Sequence, residues 1–129
     1  MNKNGIKYTT NHFFIKVFDI PAGELLVDYT LETFRAINYK TVVAPLINFY
    51  DLSTKDSEAI QLTLEMYAIP KERPGIEDIL DSWGLKVWDA FDQFYVTRGK
   101  HDGDIQTVYF LGEDIDLEDV LKIRSDFIC

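Results

Sequence analysis

The sequence has one cysteine, Cys129, among 129 residues. That excludes an internal disulfide framework and a four-cysteine zinc site. A lone thiol with no neighbouring cation or base suits a reducing cytoplasm and a chemically silent role. Long apolar runs are missing too. Nothing approaches about 18 consecutive apolar residues, so no membrane span is expected. Phe13-Phe14-Ile15 is too short for the apolar stretch of a secretory leader. Histidine is scarce, with only His12 and His101, and the two fall in separate segments. No local His pair can clamp a metal, and the twelve-residue ligand spacing of a calcium loop is absent. The Gly-rich phosphate-cradling patterns and the Gly-x-Ser-x-Gly nucleophile elbow are also missing. No cofactor, no metal and no catalytic residue is therefore expected. Carboxylates abound, but an acid/base pair needs two of them a few ångströms apart in a cleft, which abundance alone does not provide.

Positive charge is also in short supply. Thirteen Lys and Arg stand against twenty-two Asp and Glu, for a net charge of −9. The imbalance is lopsided. Residues 1–71 carry seven basic and eight acidic groups, net −1, while residues 72–129 carry six and fourteen, net −8. Asp102, Asp104, Glu113, Asp114, Asp116, Glu118 and Asp119 follow one another with no Lys or Arg between them. Such a field repels nucleic acid and anionic membrane surfaces. It attracts basic protein surfaces and speeds their encounter.

What is present is a well-filled apolar inventory: 47% apolar residues and 14% aromatic ones. A chain of this size buries roughly two thirds of its unfolded surface and reads as a single domain over 1–129. Residues 1–70 read as β-rich. Phe13, Ile15 and Val17 alternate, and so do Leu25, Val27, Tyr29 and Leu31. With Pro21-Ala22-Gly23-Glu24 as the turn, 12–34 reads as a hairpin, the rival being a helix opening at Pro21. Thr41 to Tyr50 is β-like but interrupted by Pro45, which suits an edge strand or bulge. Ile60, Leu62, Leu64 and Met66 alternate and predict a further strand, with a helix capped by Ser53 or Ser57 as the alternative.

Pro70-Lys71-Glu72-Arg73-Pro74-Gly75 breaks any regular element. The period then changes, and residues 75–129 read as α/β. Ile76, Ile79, Leu80, Trp83, Val87, Ala90, Phe91 and Phe94 recur at helical spacing. This predicts a helix over 75–83, with Trp83, Phe91 and Phe94 in the core, and a second helix over 86–93 after Gly84. Phe94 to Thr97 and Ile105 to Leu111 then read as a second hairpin around a Gly-rich turn. Asp114 or Asp116 caps a last helix marked by Leu117, Val120, Leu121 and Arg124. The expected fold class is α+β: an antiparallel sheet of about five or six strands in two hairpins, packed on two or three helices.

These features favour an acidic, cytoplasmic protein-binding module over an enzyme. The expected role is an inhibitor, of the immunity-protein or phage-encoded blocker type, docking on a basic, nucleic-acid-handling protein. The carriers would be the seven carboxylates from Asp102 to Asp119, with Trp88 and Tyr109 as aromatic anchors. A small enzyme or ligand-binding domain with an apolar pocket is the alternative, and a subunit of a larger (phage) assembly is a third.

Overall fold

The computed structural model describes residues 3–39, 57–100 and 106–127. The chain begins with β1 (His12–Val17), β2 (Ile20–Asp28) and β3 (Thr33–Asn38). The β1–β2 turn is not Pro21–Glu24 but Phe18-Asp19, whose φ values of 51° and 63° are both left-handed. Two such residues give the turn twist that fits two antiparallel strands. Pro21 to Glu24 lie inside β2. Pro21 is accommodated where the β1–β2 register shifts, and Gly23 is required because a Cβ there would sit 2.7 Å from the Ile37 carbonyl oxygen of β3. β3 was not foreseen from sequence. The turn into it is built by the Asp28 side chain, whose Oδ1 accepts from the Thr30 and Leu31 N–H groups at 3.0 Å each.

Next comes α1 (Ser57–Tyr67), where the alternating pattern had predicted a strand. Ile60, Leu62, Leu64 and Met66 form two i, i+4 pairs on different sides of a helix. Ile60 and Leu64 are buried, while Leu62 and Met66 face out. Glu, Ala, Gln, Leu and Met are also good helix formers. The Ser57 Oγ accepts from the Phe34 N–H at 2.7 Å and pins the start of α1 to β3. The turn-rich Pro70–Gly75 segment leads into α2 (Ile76–Ser82), close to its expected place.

A helix α3 (Ala90–Thr97) follows, capped by Asp89, whose Oδ2 accepts from the Asp92 N–H at 2.9 Å. It runs through Phe94–Thr97, which had read as a strand. Phe91, Phe94 and Tyr95 all turn into the core from a helix, so packing overrides the β propensity of those residues. Arg98, at φ 56°, ends it. The second hairpin is therefore not formed. Instead β4 (Gln106–Phe110) pairs antiparallel with β1, Phe13 facing Phe110, and α4 (Leu117–Phe127) closes the described chain. The result is an α+β fold, with an antiparallel sheet ordered β3-β2-β1-β4 and four helices among the described residues. The expected strand over Thr41–Tyr50 lies outside them.

The sheet is covered on both faces. On one, Phe13, Ile15, Val17, Leu25, Val27, Phe34 and Phe110 meet Ile60, Leu64, Phe91, Phe94 and Tyr95 from α1 and α3. Phe13 makes edge-to-face contacts with Phe91, Phe94, Tyr95 and Phe110, at centroid distances of 5.1–6.0 Å. On the other face a smaller cluster of Phe14, Tyr39 and Val120 is flanked by Tyr109, Ile123 and Phe127. Trp83 belongs to neither cluster and is half-buried, contrary to the sequence reading. No helix among the described residues is long and apolar enough to cross a membrane.

Candidate functional site

The acidic stretch after β4 occupies one edge of the molecule. β4 runs out at Phe110, whose carbonyl accepts from the Glu113 and Asp114 N–H groups at 3.2 and 3.0 Å. This tight turn presents both side chains to Arg98, which ends α3 nearby. Arg98 bonds Glu113 at 3.0 Å and also Asp114, and its guanidinium lies 3.3 Å from the Phe110 ring centroid. Glu113 further accepts from the Thr9 hydroxyl at 2.6 Å. One cation thus serves two exposed carboxylates, leaving a single negative charge there. Asp116 caps α4, its Oδ1 accepting from the Asp119 N–H at 2.9 Å. Glu118 and Asp119 stand exposed in the first turn, where the helix dipole favours anions. Asp102 and Asp104 lie outside the described residues.

Of the two proposed anchors, Tyr109 joins this edge. With Asp114, Ile115, Asp119, Ile123 and Asp126 it lines a groove of about 350 Å³ between β4 and α4, shared with Lys16 and Lys122. The Lys16 ammonium lies 5.1 Å from the Tyr109 ring centroid. Trp88 does not join it. Trp88 packs against the cluster on the opposite face of the sheet, its indole N–H donates to the Ile69 carbonyl at 2.7 Å, and Lys71 lies 4.7 Å from its ring centroid. Tyr95 is buried on that opposite side as well.

Two residues at the edge were not read from sequence as surface groups. Leu117 and Leu121 are 55% and 51% exposed, one turn apart on α4, while Val120 of the same helix is fully buried. The signal was present: Leu117 and Leu121 form one stripe and Val120, Ile123 and Phe127 another. One helix lying on one sheet buries only one of them.

A second constellation lies beneath α4. Glu24, in the middle of β2, is fully buried. Its Oε1 receives His12 Nε2 and Arg124 Nη2, each at 2.5 Å, and its Oε2 receives Arg124 Nε at 2.7 Å and the Tyr39 hydroxyl. Burial by itself raises the carboxyl pKa, but hydrogen bonds from His12, Arg124 and Tyr39 together with the Arg124 charge outweigh it and hold the pKa at about 2. Burial, and then the facing carboxylate, push the Tyr39 phenol upward. Four donors fill both oxygens, and so low a pKa makes a weak base. The chemistry open to Glu24 is therefore to fasten α4 to the sheet. Sequence reasoning missed it because the misplaced turn put Glu24 in a loop; the two-residue turn sets His12 and Glu24 on one face of the hairpin. Among the described residues no group of three or more His, Cys, Asp or Glu side chains is placed to hold a metal ion.

Comparison with protein families, curated proteins and solved structures finds no match to this chain.

Proposed function

We propose that the chain is an acidic protein-binding module that inhibits a basic, nucleic-acid-handling protein by covering its surface. The observation that carries this reading is the exposed edge of α4. Leu117 and Leu121 stand out from the surface between Asp116, Glu118 and Asp119, beside a groove floored by Tyr109, Ile115 and Ile123. Apolar anchors set among carboxylates suit a partner whose cations lie around an apolar patch. The carboxylates raise the rate of encounter, and the desolvated side chains slow release. On this reading Glu118 and Asp119 carry the steering more than Glu113 and Asp114, whose charge Arg98 already halves. The role is that of a blocker and needs no catalytic group.

The test is capture of partners at low salt from cells that carry the chain, followed by association kinetics with the captured protein. The expected partner loses its DNA or RNA binding when the chain is present. Replacing Glu118→Lys and Asp119→Lys together should slow association about ten-fold at low salt, and Leu121→Ser should mainly speed dissociation. An unchanged association rate, or a partner that holds nucleic acid and the chain together, overturns the reading.

A further inference from the structure

Gln93, in the middle of α3, is only 2% exposed. Its side-chain oxygen Oε1 accepts from the Ile69 N–H at 3.0 Å, just beyond the end of α1. That bond fixes the orientation of the amide, because the turned form would set its NH2 group against another N–H donor. The nitrogen Nε2 has no hydrogen-bond partner among the described residues. A buried donor without an acceptor is costly, and native proteins leave few of them so. The polar group therefore calls for a ligand that can accept a hydrogen bond.

Gln93 also lines a small cavity where the end of α1 meets α3. Ala68, just past α1, and Ala90 of α3 bring only methyl groups to its wall, and larger side chains there would fill it. The space open to a water-sized sphere is about 10 Å³, which is that of one molecule. Thr97 and Gly99 line the same cavity. The Thr97 hydroxyl donates its proton to the Gln93 backbone carbonyl at 2.6 Å, so its oxygen keeps lone pairs to offer. The Gly99 carbonyl accepts from the Tyr67 hydroxyl at 2.9 Å and keeps a second lone pair. One cavity thus brings together a donor that lacks an acceptor and two acceptors with capacity to spare.

We infer that this cavity is a binding site for a single water molecule, held between α1 and α3. The water accepts from Gln93 Nε2 and donates to the Gly99 carbonyl and the Thr97 hydroxyl oxygen. An organic ligand is too large for the space, and a cation would face the hydrogens of the amide. With the water in place, Gln93 secures two exits at once. It holds the chain leaving α1 directly, through Ile69, and the chain leaving α3 through the water to Gly99. Buried waters of this kind are part of a fold and are costly to remove. The inference is independent of the α4 edge, which lies on the other face of the sheet.

The test is a high-resolution crystal structure of the full-length chain, paired with NMR of the isotope-labelled protein in water. The crystal should show one well-ordered water within hydrogen-bond distance of Gln93 Nε2 and of the Gly99 carbonyl or the Thr97 hydroxyl. In solution, the Gln93 side-chain amide protons should give cross-peaks to water that differ in sign between laboratory-frame and rotating-frame spectra, the signature of a long-lived water. The variant Ala68→Val grows a wall of the cavity into it and should abolish both signals, with the backbone amide spectrum otherwise retained. A dry cavity, or a Gln93 amide turned to an acceptor within the protein, overturns the inference. Cross-peaks that persist unchanged in Ala68→Val place their source elsewhere and overturn it too. If that variant does not fold, the parent crystal and spectra decide the matter by themselves.

Discussion

The two faces of the sheet are held to their helices by different physics. Under α1 and α3 the seam is broad and mainly aromatic: Phe13 meets Phe91, Phe94, Tyr95 and Phe110 edge to face within a large apolar cluster. Under α4 the apolar cluster is small, and the centre of the seam is an ionised carboxylate, Glu24, gripped by His12, Tyr39 and Arg124. Apolar burial is tolerant of small misfits and insensitive to pH. A buried ion network is neither: it holds while every partner is present and becomes a liability when one is removed. The first face therefore supplies most of the stability, and the second sets where α4 sits.

The largest effect expected from breaking this contrast is on the aromatic face. Phe91→Ala opens a cavity where several rings meet and should cost about 4 kcal/mol in denaturant unfolding. A loss below 1 kcal/mol would show that this cluster does not dominate. Next comes Arg124→Met, which leaves the Glu24 carboxylate buried with two donors removed, at a cost of about 3 kcal/mol. Adding Glu24→Gln removes the stranded charge and should restore part of that loss. If the double variant is less stable than Arg124→Met alone, the network is not behaving as a buried ion pair.

The mildest perturbation is acid. The Glu24 pKa is depressed in the folded state, from 4.5 to about 2. Its contribution is thus complete above about pH 4.5 and fades as the pH falls through that window towards 2. Stability should decline with acid across this range in the parent chain and decline less steeply in Glu24→Gln. Parallel slopes for the two proteins would remove Glu24 from the account.

Much of the outline was legible in the sequence because local rules decided it. The Pro70–Gly75 break, the helix over Ile76–Ser82 and the capped helix after Asp116 follow from residues close in the chain. The errors arose where a local pattern admits two answers. Alternating Ile60, Leu62, Leu64 and Met66 satisfy a strand, yet also satisfy a helix with two apolar stripes. Phe94-Tyr95-Val96 favour a strand in isolation and form a helix because the sheet offers their side chains a place. The pairing of β4 with β1 rather than with a close neighbour has no local signature at all. At the candidate site, the carboxylates of 113–119 could be read directly. That Arg98 would pair with two of them, or that Leu117 and Leu121 would face out, depended on where α3 ended and which stripe of α4 met the sheet.

The strand order also governs how the chain reaches its native state. The inner strand β1, complete by Val17, finds its second neighbour only at Gln106–Phe110, roughly ninety positions later. During synthesis the first three strands can form a meander early, while one side of β1 stays unpaired until the ribosome has released most of the chain. Distant pairings of this kind slow folding, and an unpaired strand edge invites wrong partners in the interval. Nascent chains halted before Phe110 should accordingly depend most heavily on chaperones.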